Sequence, residues 1–295
     1  MKIMNRSVWK DTYDTLHHLV QMMGKVKLAS TPVQPEWANV PLEVYPHGFR
    51  TGLLYKNGIN FEILLDFYKS EVSIYDNRGN SKFFVLKDKT SVSGIYAEFM
   101  ELLDFLRLET AINTIPQEMN TKTRFEDNIK EIIYDHESAK NAFEMILYAY
   151  HELNVFISPF RSKKVMPKFY WGTFDLGTTI FSGIPAPYET SDIIARIGFD
   201  EQMIEFGYAF DDTIDGFPYF YILIYPVKIS EYENAKPEGS GYFSKEKSEF
   251  FLPLKPVFET GNPSEEIQKF LTSAFKIICH NEKWPNLDWH TKEIK

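Results

Sequence analysis

Apolar segments of strand length, separated by short polar turns, constrain the fold of this chain more than any other feature of its sequence. INFEILLDF, EVSIYD and KFFVLK follow one another with few residues between them, and one intervening turn contains NRG. Antiparallel strands can be joined by such turns, whereas parallel strands need a crossover of about a dozen residues or more. The pattern therefore predicts an α+β fold in which mainly antiparallel sheets pack against helices.

The order helix, several strands, helix occurs twice along the chain. Apolar residues recur at helical spacing over 9–29 and 91–109 in the first half, and over 137–158 and 264–280 in the second. Composition and alternation predict the strands of the second half, which are KFYWGTFDLGTTIF, IIARIGF, MIEFGYAF, FPYFYILIYPV and SEFFLPL.

We expect residues 1–295 to form a single globular unit. The polar, irregular stretch 117–131 is the best candidate for a linker or a long surface loop. A hypothesis within the single unit is therefore that the loop joins two similar halves, 8–116 and 132–284. The halves share the order of their elements and no visible residue pattern.

An excess of acidic residues excludes several classes of partner. The net charge is −9, and an acidic surface repels phosphate backbones and anionic lipids, so we expect neither a nucleic-acid nor a membrane partner. No segment has about 18 consecutive apolar residues, and the N-terminus MKIMNRSVWKD lacks the apolar stretch of a signal peptide. Cys279 is the single cysteine, which permits no internal disulfide. We therefore expect a cytoplasmic protein.

The sequence lacks the common motifs for cofactors, metals and nucleophilic catalysis. It contains no G-x-x-x-x-G-K-[ST], no G-x-G-x-x-G after a strand, no H-E-x-x-H, no C-x-x-C and no G-x-S-x-G. We therefore expect no cofactor and no metal site. No pair of carboxylates stands out as a glycosidase couple, although the sequence leaves the pair Asp175 and Glu205 open.

One carboxylate, Asp175, interrupts the aromatic and β-branched run FYWGTFDLGTTIFSG. If residues 169–182 form one strand, side chains two apart share a face. Trp171, Thr173 and Asp175 then lie on one face, where small neighbours leave space around the acid. An acid in such a space needs a partner or water.

The strand FPYFYILIYPV places three tyrosines, Tyr219, Tyr221 and Tyr225, on one face. A tyrosine combines an apolar ring with a polar hydroxyl, which suits the wall of a binding pocket. We expect these tyrosines and Trp171 to line a pocket for a small molecule, in which Asp175 holds a donor group of the ligand. The alternative is a solvated sheet face, or a face that docks another protein or a second copy of this chain.

His17 offers a different function, that of an enzyme. It lies at the edge of the buried face of the first helix, whereas His18 is expected to point toward water. His17 would act as general acid or base, oriented by Asp14 or Asp175. Arg161 or Lys25 would stabilise an anion. The remaining histidines lie in turns, near chain ends or beside a buried helical face, and are assigned no role.

Several motifs of the chain resemble those of a mostly bacterial family of about this length, a domain of unknown function. They are WKDTYDTLH with GKVKLA, FYWGTFDL with FSGIPAP, and FYILIYP with EFFLP. The family as a whole has a turn like Gly-Phe-Trp-Pro-Gly after the central strand, and IEFGYAFDD departs from that pattern.

The resemblance implies two sets of motif residues and brings no established activity. The first set is Trp9, Asp11, Thr12, His17, Gly24 and Lys25, and the central set is Trp171, Gly172, Asp175, Phe181, Ser182 and Gly183.

Overall fold

A computed structural model describes residues 2–294 and confirms an α+β fold with mainly antiparallel sheets. The chain divides into two compact units. The first unit comprises residues 2, 6–147 and 169–174, and the second comprises 3–5, 148–168 and 175–294. The stretch 117–131 belongs to the first unit, where Phe125 is buried, and one division falls inside a helix.

The first unit contains two complete helices and a six-stranded antiparallel sheet. The strands follow the order β1-β2-β4-β5-β6, and β3 pairs with β4. A small pair, β7 and β8, forms a separate two-stranded sheet. The elements are α1 (Lys10–Ser30), β1 (Glu43–Tyr45), β2 (Gly48–Arg50), β3 (Leu54–Lys56), β4 (Ile59–Asp66), β5 (Glu71–Asp76), β6 (Ser81–Val85), β7 (Lys89–Thr90), α2 (Val92–Phe105) and β8 (Ile132–Ile133).

The first helix is buried on nearly every side. Leu16, Val20 and Met23 are fully buried, as their helical spacing predicts. The prediction that His18 points toward water is wrong, because its side chain is buried and its Nδ1 lies 2.6 Å from the carbonyl oxygen of Asp14. Several polar side chains of this helix, among them Gln21 and Lys25, therefore face protein rather than solvent.

The second unit is built on another six-stranded antiparallel sheet, in the order β13-β14-β12-β11-β10-β9. α3 (His136–Ile157) and β9 (Lys164–Tyr170) each run from one unit into the other. The remaining elements are β10 (Asp175–Pro185), α4 (Ile193–Gly198), β11 (Glu201–Ala209), β12 (Tyr219–Tyr225), β13 (Tyr242–Ser244), β14 (Glu249–Pro253), α5 (Leu254–Glu259), α6 (Pro263–Asn281) and α7 (Leu287–His290).

One predicted strand of the second unit is a helix. The segment IIARIGF forms α4, although its β-branched residues favour a strand. Asp192 precedes it, and its Oδ1 accepts a hydrogen bond from the backbone N–H of Ile194 at 2.9 Å. This helix cap outweighs the strand preference of a short apolar run.

One face of the second sheet is the apolar core of its unit. Phe206, Phe220 and Ile222 are fully buried on this face, and Phe156 of α3 contacts Phe206 with ring centroids 4.6 Å apart. α6 packs against β12 and β14. The helices therefore cover this face, and the other face carries the polar residues described next.

Candidate functional site

The segment 169–182 is two strands rather than one. β9 ends at Tyr170, residues 171–174 form a turn, and β10 begins at Asp175. Phe174 has a φ of 61°, in the left-handed region that a bulky residue rarely adopts. The predicted alternation from Trp171 to Asp175 is therefore wrong, because alternation requires continuous extended backbone.

Trp171 lies in the first unit, where it is a packed core residue. Only 5% of it is exposed, and its Nε1 donates a hydrogen bond to the carbonyl oxygen of Val40 at 3.0 Å. A Cβ added to Gly24 of α1 would lie 2.3 Å from the indole, so the ring packs directly on that backbone. Thr173, in the same turn, is exposed. Neither residue shares a unit with the tyrosines that were predicted to join it.

The three tyrosines and Asp175 lie on one face of the sheet in the second unit. Antiparallel register sets Gly177 of β10 opposite Gly207 of β11, and Gly207 opposite Tyr221 of β12. The next row contains Thr179, Glu205, Leu223 and Glu249. Directly opposed residues have side chains on the same side of a sheet. Alternation along β10 and β12 then adds Asp175, Tyr219 and Tyr225 to this face.

Tyr221 links two carboxylates on this face. Its hydroxyl donates to Asp175 Oδ2 and lies 3.0 Å from Glu205 Oε1. Asp175 is 8% exposed, and Glu205 and Tyr221 are half-buried. A single hydroxyl has one proton to donate, so the two carboxylates compete for it. The acid within the apolar run therefore has a tyrosine as a partner.

The pKa values of two carboxyl groups on this face are raised, so they keep their protons to higher pH. Burial raises the pKa of Glu205 to about 8, and the charge of Asp175 adds to that shift. Burial also raises the pKa of Glu249 to about 7, and the charges of Asp211 and Asp175 contribute to the same shift. The pKa of Tyr221 is raised well above its usual value by burial and by the two carboxylates. Near neutral pH, protons therefore remain bound to part of this group.

The other two tyrosines have separate partners. Tyr219 donates to Asp211 Oδ1 at 2.6 Å, and Tyr225 donates to the carbonyl oxygen of Ala186 at 2.8 Å. We call Asp175, Glu205, Tyr221 and Glu249, with Tyr219 and Asp211 beside them, the acidic tyrosine cluster. Tyr225 lies on the same face and outside the cluster.

His17 and Arg161 have structural partners of their own. His17, in the first unit, is buried, and its Nε2 lies 2.8 Å from the carbonyl oxygen of Gly172. Because a carbonyl only accepts, this nitrogen carries the proton. Arg161, in the second unit, donates to the carbonyl oxygens of Lys292 and Glu293 at 3.2 and 3.1 Å. The guanidinium therefore holds the C-terminal segment.

Comparison with known families identifies the chain. The sequence profile of a family of unknown function, DUF5996, matches residues 3–290. The chain belongs to this family. No curated protein and no solved structure matches this DUF5996 chain. Membership confirms the resemblance to a family of unknown function and leaves the activity to be inferred from the structure.

The described residues of the DUF5996 chain contain neither a membrane-spanning helix nor a metal-binding group of side chains. None of the helices within 2–294 is both long and apolar enough to span a bilayer. The same residues contain no group of three or more histidines, cysteines, aspartates or glutamates with metal-binding geometry.

Sequence reasoning found part of this cluster. The signal for Asp175, a carboxylate inside an apolar strand, is also present for Glu205 in MIEFGYAF. Glu249 and Asp211 lie at a strand start and in a loop, where acids are ordinary. Only the strand register shows Glu249 in the same row as Glu205.

Proposed function

We propose that the acidic tyrosine cluster binds a small molecule that carries a positively charged or proton-donating group. The observation that supports this proposal is the Tyr221 hydroxyl placed between Asp175 and Glu205, with Glu249 in the neighbouring row. A ligand ammonium group offers several N–H donors, and its charge strengthens the hydrogen bonds that it donates to carboxylates.

The charge balance of the cluster supports a cationic ligand. Among the described residues, no ion pair joins Glu205 or Glu249 to a lysine or arginine, and Lys247 only opposes the shift of the Glu249 pKa. Carboxylates with raised pKa values lose their protons when a cation binds. Binding should therefore release protons near neutral pH, and the tyrosine rings would add cation–π attraction.

A thermal-shift screen with small amines and quaternary ammonium ions tests the proposal. A ligand at about 100 times its Kd stabilises a folded protein by about 2.7 kcal/mol, which is a measurable rise in Tm. We expect at least one amine to raise the Tm of the wild type. The rise should disappear in Glu205→Gln and Asp175→Asn.

Glu201→Gln is the matched control, because Glu201 begins the same strand and already pairs with Lys163 at 3.1 Å. It should keep the ligand-induced rise in Tm. A panel without any stabilising amine, or equal rises in wild type and Glu205→Gln, would contradict the proposal.

The other sequence-based expectations accompany this proposal. They are a cytoplasmic location, a small-molecule ligand, the absence of nucleic-acid and membrane partners, and a homo-oligomer as an alternative use of the polar face. An enzyme with His17 and Asp175 as its catalytic pair also stays a prediction. It has less support, because the Nε2 of His17 is occupied by the Gly172 carbonyl oxygen.

A further inference from the structure

A hydrogen-bonded chain of serine, histidine and aspartate lies in the first unit. Ser70 Oγ is 2.5 Å from His136 Nδ1, and His136 Nε2 is 2.8 Å from Asp88 Oδ1. These are the residue types, and the order of contacts, of a nucleophile with its base and the group that orients the base. None of the three belongs to the acidic tyrosine cluster.

Three separate segments bring these residues together. Ser70 immediately precedes β5, Asp88 precedes β7, and His136 begins α3. β7 pairs with β8, and just beyond this pair the N–H of Tyr134 donates to the carbonyl oxygen of Asp88 at 2.9 Å. The two-stranded sheet therefore sets the distance between Asp88 and the start of α3.

The chemistry of the partners fixes the proton positions. The carboxylate of Asp88 can only accept a hydrogen bond, so His136 Nε2 carries the proton. In the neutral ring, Nδ1 is then the acceptor, and it faces the hydroxyl of Ser70. The histidine is therefore in the tautomer that a general base for Ser70 requires, with its two nitrogens in exchanged roles relative to the usual triad.

A buried donor lies beside the serine. Tyr134 is 1% exposed, and its hydroxyl has no hydrogen-bond partner among the described residues. Burial raises the pKa of Tyr134 to about 12, and the nearby Ser70 hydroxyl opposes that shift. A neutral phenol hydroxyl next to a nucleophile can stabilise negative charge on a reacting oxygen.

The low exposure of Ser70 limits which substrates could reach its hydroxyl. Ser70 is 2% exposed, whereas the side chains of His136 and Asp88 are 40% and 84% exposed. Because Ser70 itself is nearly buried, we expect it to react with small electrophiles rather than with bulky ones. Exposure of Asp88 to water also weakens its effect on the histidine, so modest activation is expected.

We propose that Ser70 is a nucleophile, with His136 as its base and Asp88 as the residue that orients the base, toward small activated esters. Ser70 Oγ attacks the acyl carbon, its proton passes to His136 Nδ1, and the ester C–O bond breaks as the leaving alcohol takes that proton. Water, deprotonated by the same nitrogen, then cleaves the acyl-serine, releases the carboxylic acid and restores the hydroxyl. No step needs an oxidant or a metal.

Covalent labelling tests the proposal on the full chain. Diisopropyl fluorophosphate should form a bond from Ser70 Oγ to phosphorus as the P–F bond breaks, with fluoride released and the serine proton taken up by His136 Nδ1. Peptide mapping by mass spectrometry should place the adduct on Ser70. Ser70→Ala should remove it, and His136→Gln should slow it by about a hundredfold. The rate of 4-nitrophenyl acetate hydrolysis should fall with both variants.

Ser73→Ala is the matched control. Ser73 is also 2% exposed, lies three residues after Ser70 in β5, and its hydroxyl has no hydrogen-bond partner in the described part of the chain. This variant should keep both the adduct and the esterase rate. An unlabelled wild type, an adduct mapped elsewhere, or equal hydrolysis by wild type and Ser70→Ala would overturn the proposal. Peptide mapping of the wild type alone shows where the adduct lies. The proposal can therefore be overturned even if a variant folds poorly.

Discussion

The ring of Tyr221 lies over the backbone of Gly207 on the neighbouring strand. A Cβ built on Gly207 would come within 2.0 Å of the Tyr221 ring, so only glycine permits this position. The ring crosses the space that the missing side chain leaves, and its hydroxyl thereby reaches Asp175 and Glu205. The glycines of this face hold a tyrosine in place rather than leave an empty cavity beside the acid.

Gly207→Ala should therefore displace Tyr221 and separate it from both carboxylates. Forcing a methyl group into a packed position costs about 1–3 kcal/mol, and the lost hydrogen bonds to charged groups add to this. Urea unfolding at pH 7 measures the change in the free energy of unfolding. Tyr221→Phe keeps the ring and removes only the hydroxyl, so it should cost less than Gly207→Ala. The opposite order would show that the ring does not depend on the glycine.

Stability should fall as pH rises through the range in which Glu205 titrates. The folded-state pKa of Glu205, about 8, exceeds the ordinary value of 4.5. Between these values the folded state binds more protons than the unfolded state, so its contribution is full below about pH 4.5 and is lost as pH rises through about 8. The loss is at most about 1.4 kcal/mol per pH unit for one group.

Glu205→Gln removes the titrating group and should flatten that decline. Urea unfolding of wild type and variant at pH 5, 6, 7 and 8 gives the two slopes. Glu201→Gln, which changes an acid already paired with Lys163, should keep the wild-type slope. Identical slopes in wild type and Glu205→Gln would show that Glu205 titrates normally.

Most strands and helices were predictable, because long periodic segments carry their own signal. The exceptions were local. Residues 171–174 interrupt a run of residues that all suit a strand, and a positive φ at Phe174 contradicts the preference of its residue type. IIARIGF became a helix through one capping aspartate. At Phe174 the surrounding structure overrides the preference of the residue type, whereas at IIARIGF a local cap outweighs the strand preference.

The sequence predicted part of the acidic tyrosine cluster for a physical reason. Alternation within β12 predicts that the three tyrosines share a face, and this holds because that strand is continuous. Strand register, which the sequence does not show, sets Asp175 of β10 on the same face. Glu249 joins them only through strand pairing. The contact of Ser70 with His136 joins residues 66 positions apart, so no local motif could have indicated it.

The indole of Trp171 should make Gly24 intolerant of any side chain. Alanine normally stabilises a helix interior by about 1 kcal/mol relative to glycine. Here the new Cβ would lie 2.3 Å from three ring atoms, and the buried ring has no free space to enter. We expect Gly24→Ala to lower the free energy of unfolding by about 1–3 kcal/mol.

Gly172→Ala is the control for that substitution. Its Cβ would meet the flexible end of the Glu118 side chain at 3.0 Å, which can move aside. Urea unfolding should therefore show a much smaller loss for Gly172→Ala than for Gly24→Ala. Similar losses would mean that the contact with Trp171 is not tight.

His17 should remain neutral far below the pH at which an exposed histidine becomes charged. Burial lowers its pKa to about 4, although its hydrogen bond to Gly172 opposes the shift. The unfolded state takes up a proton near pH 6.5, so the contribution of His17 to stability is full above that pH and is lost as pH falls through about 4. The ¹⁵N spectrum of the imidazoles should show the Nε2–H tautomer at pH 6, because the carbonyl oxygen lies 2.8 Å from that nitrogen. His17→Gln should remove that signal and identify it. A ring of His17 that is protonated at pH 6 would contradict both the burial and the hydrogen bond, and would return this histidine to the list of candidate proton carriers.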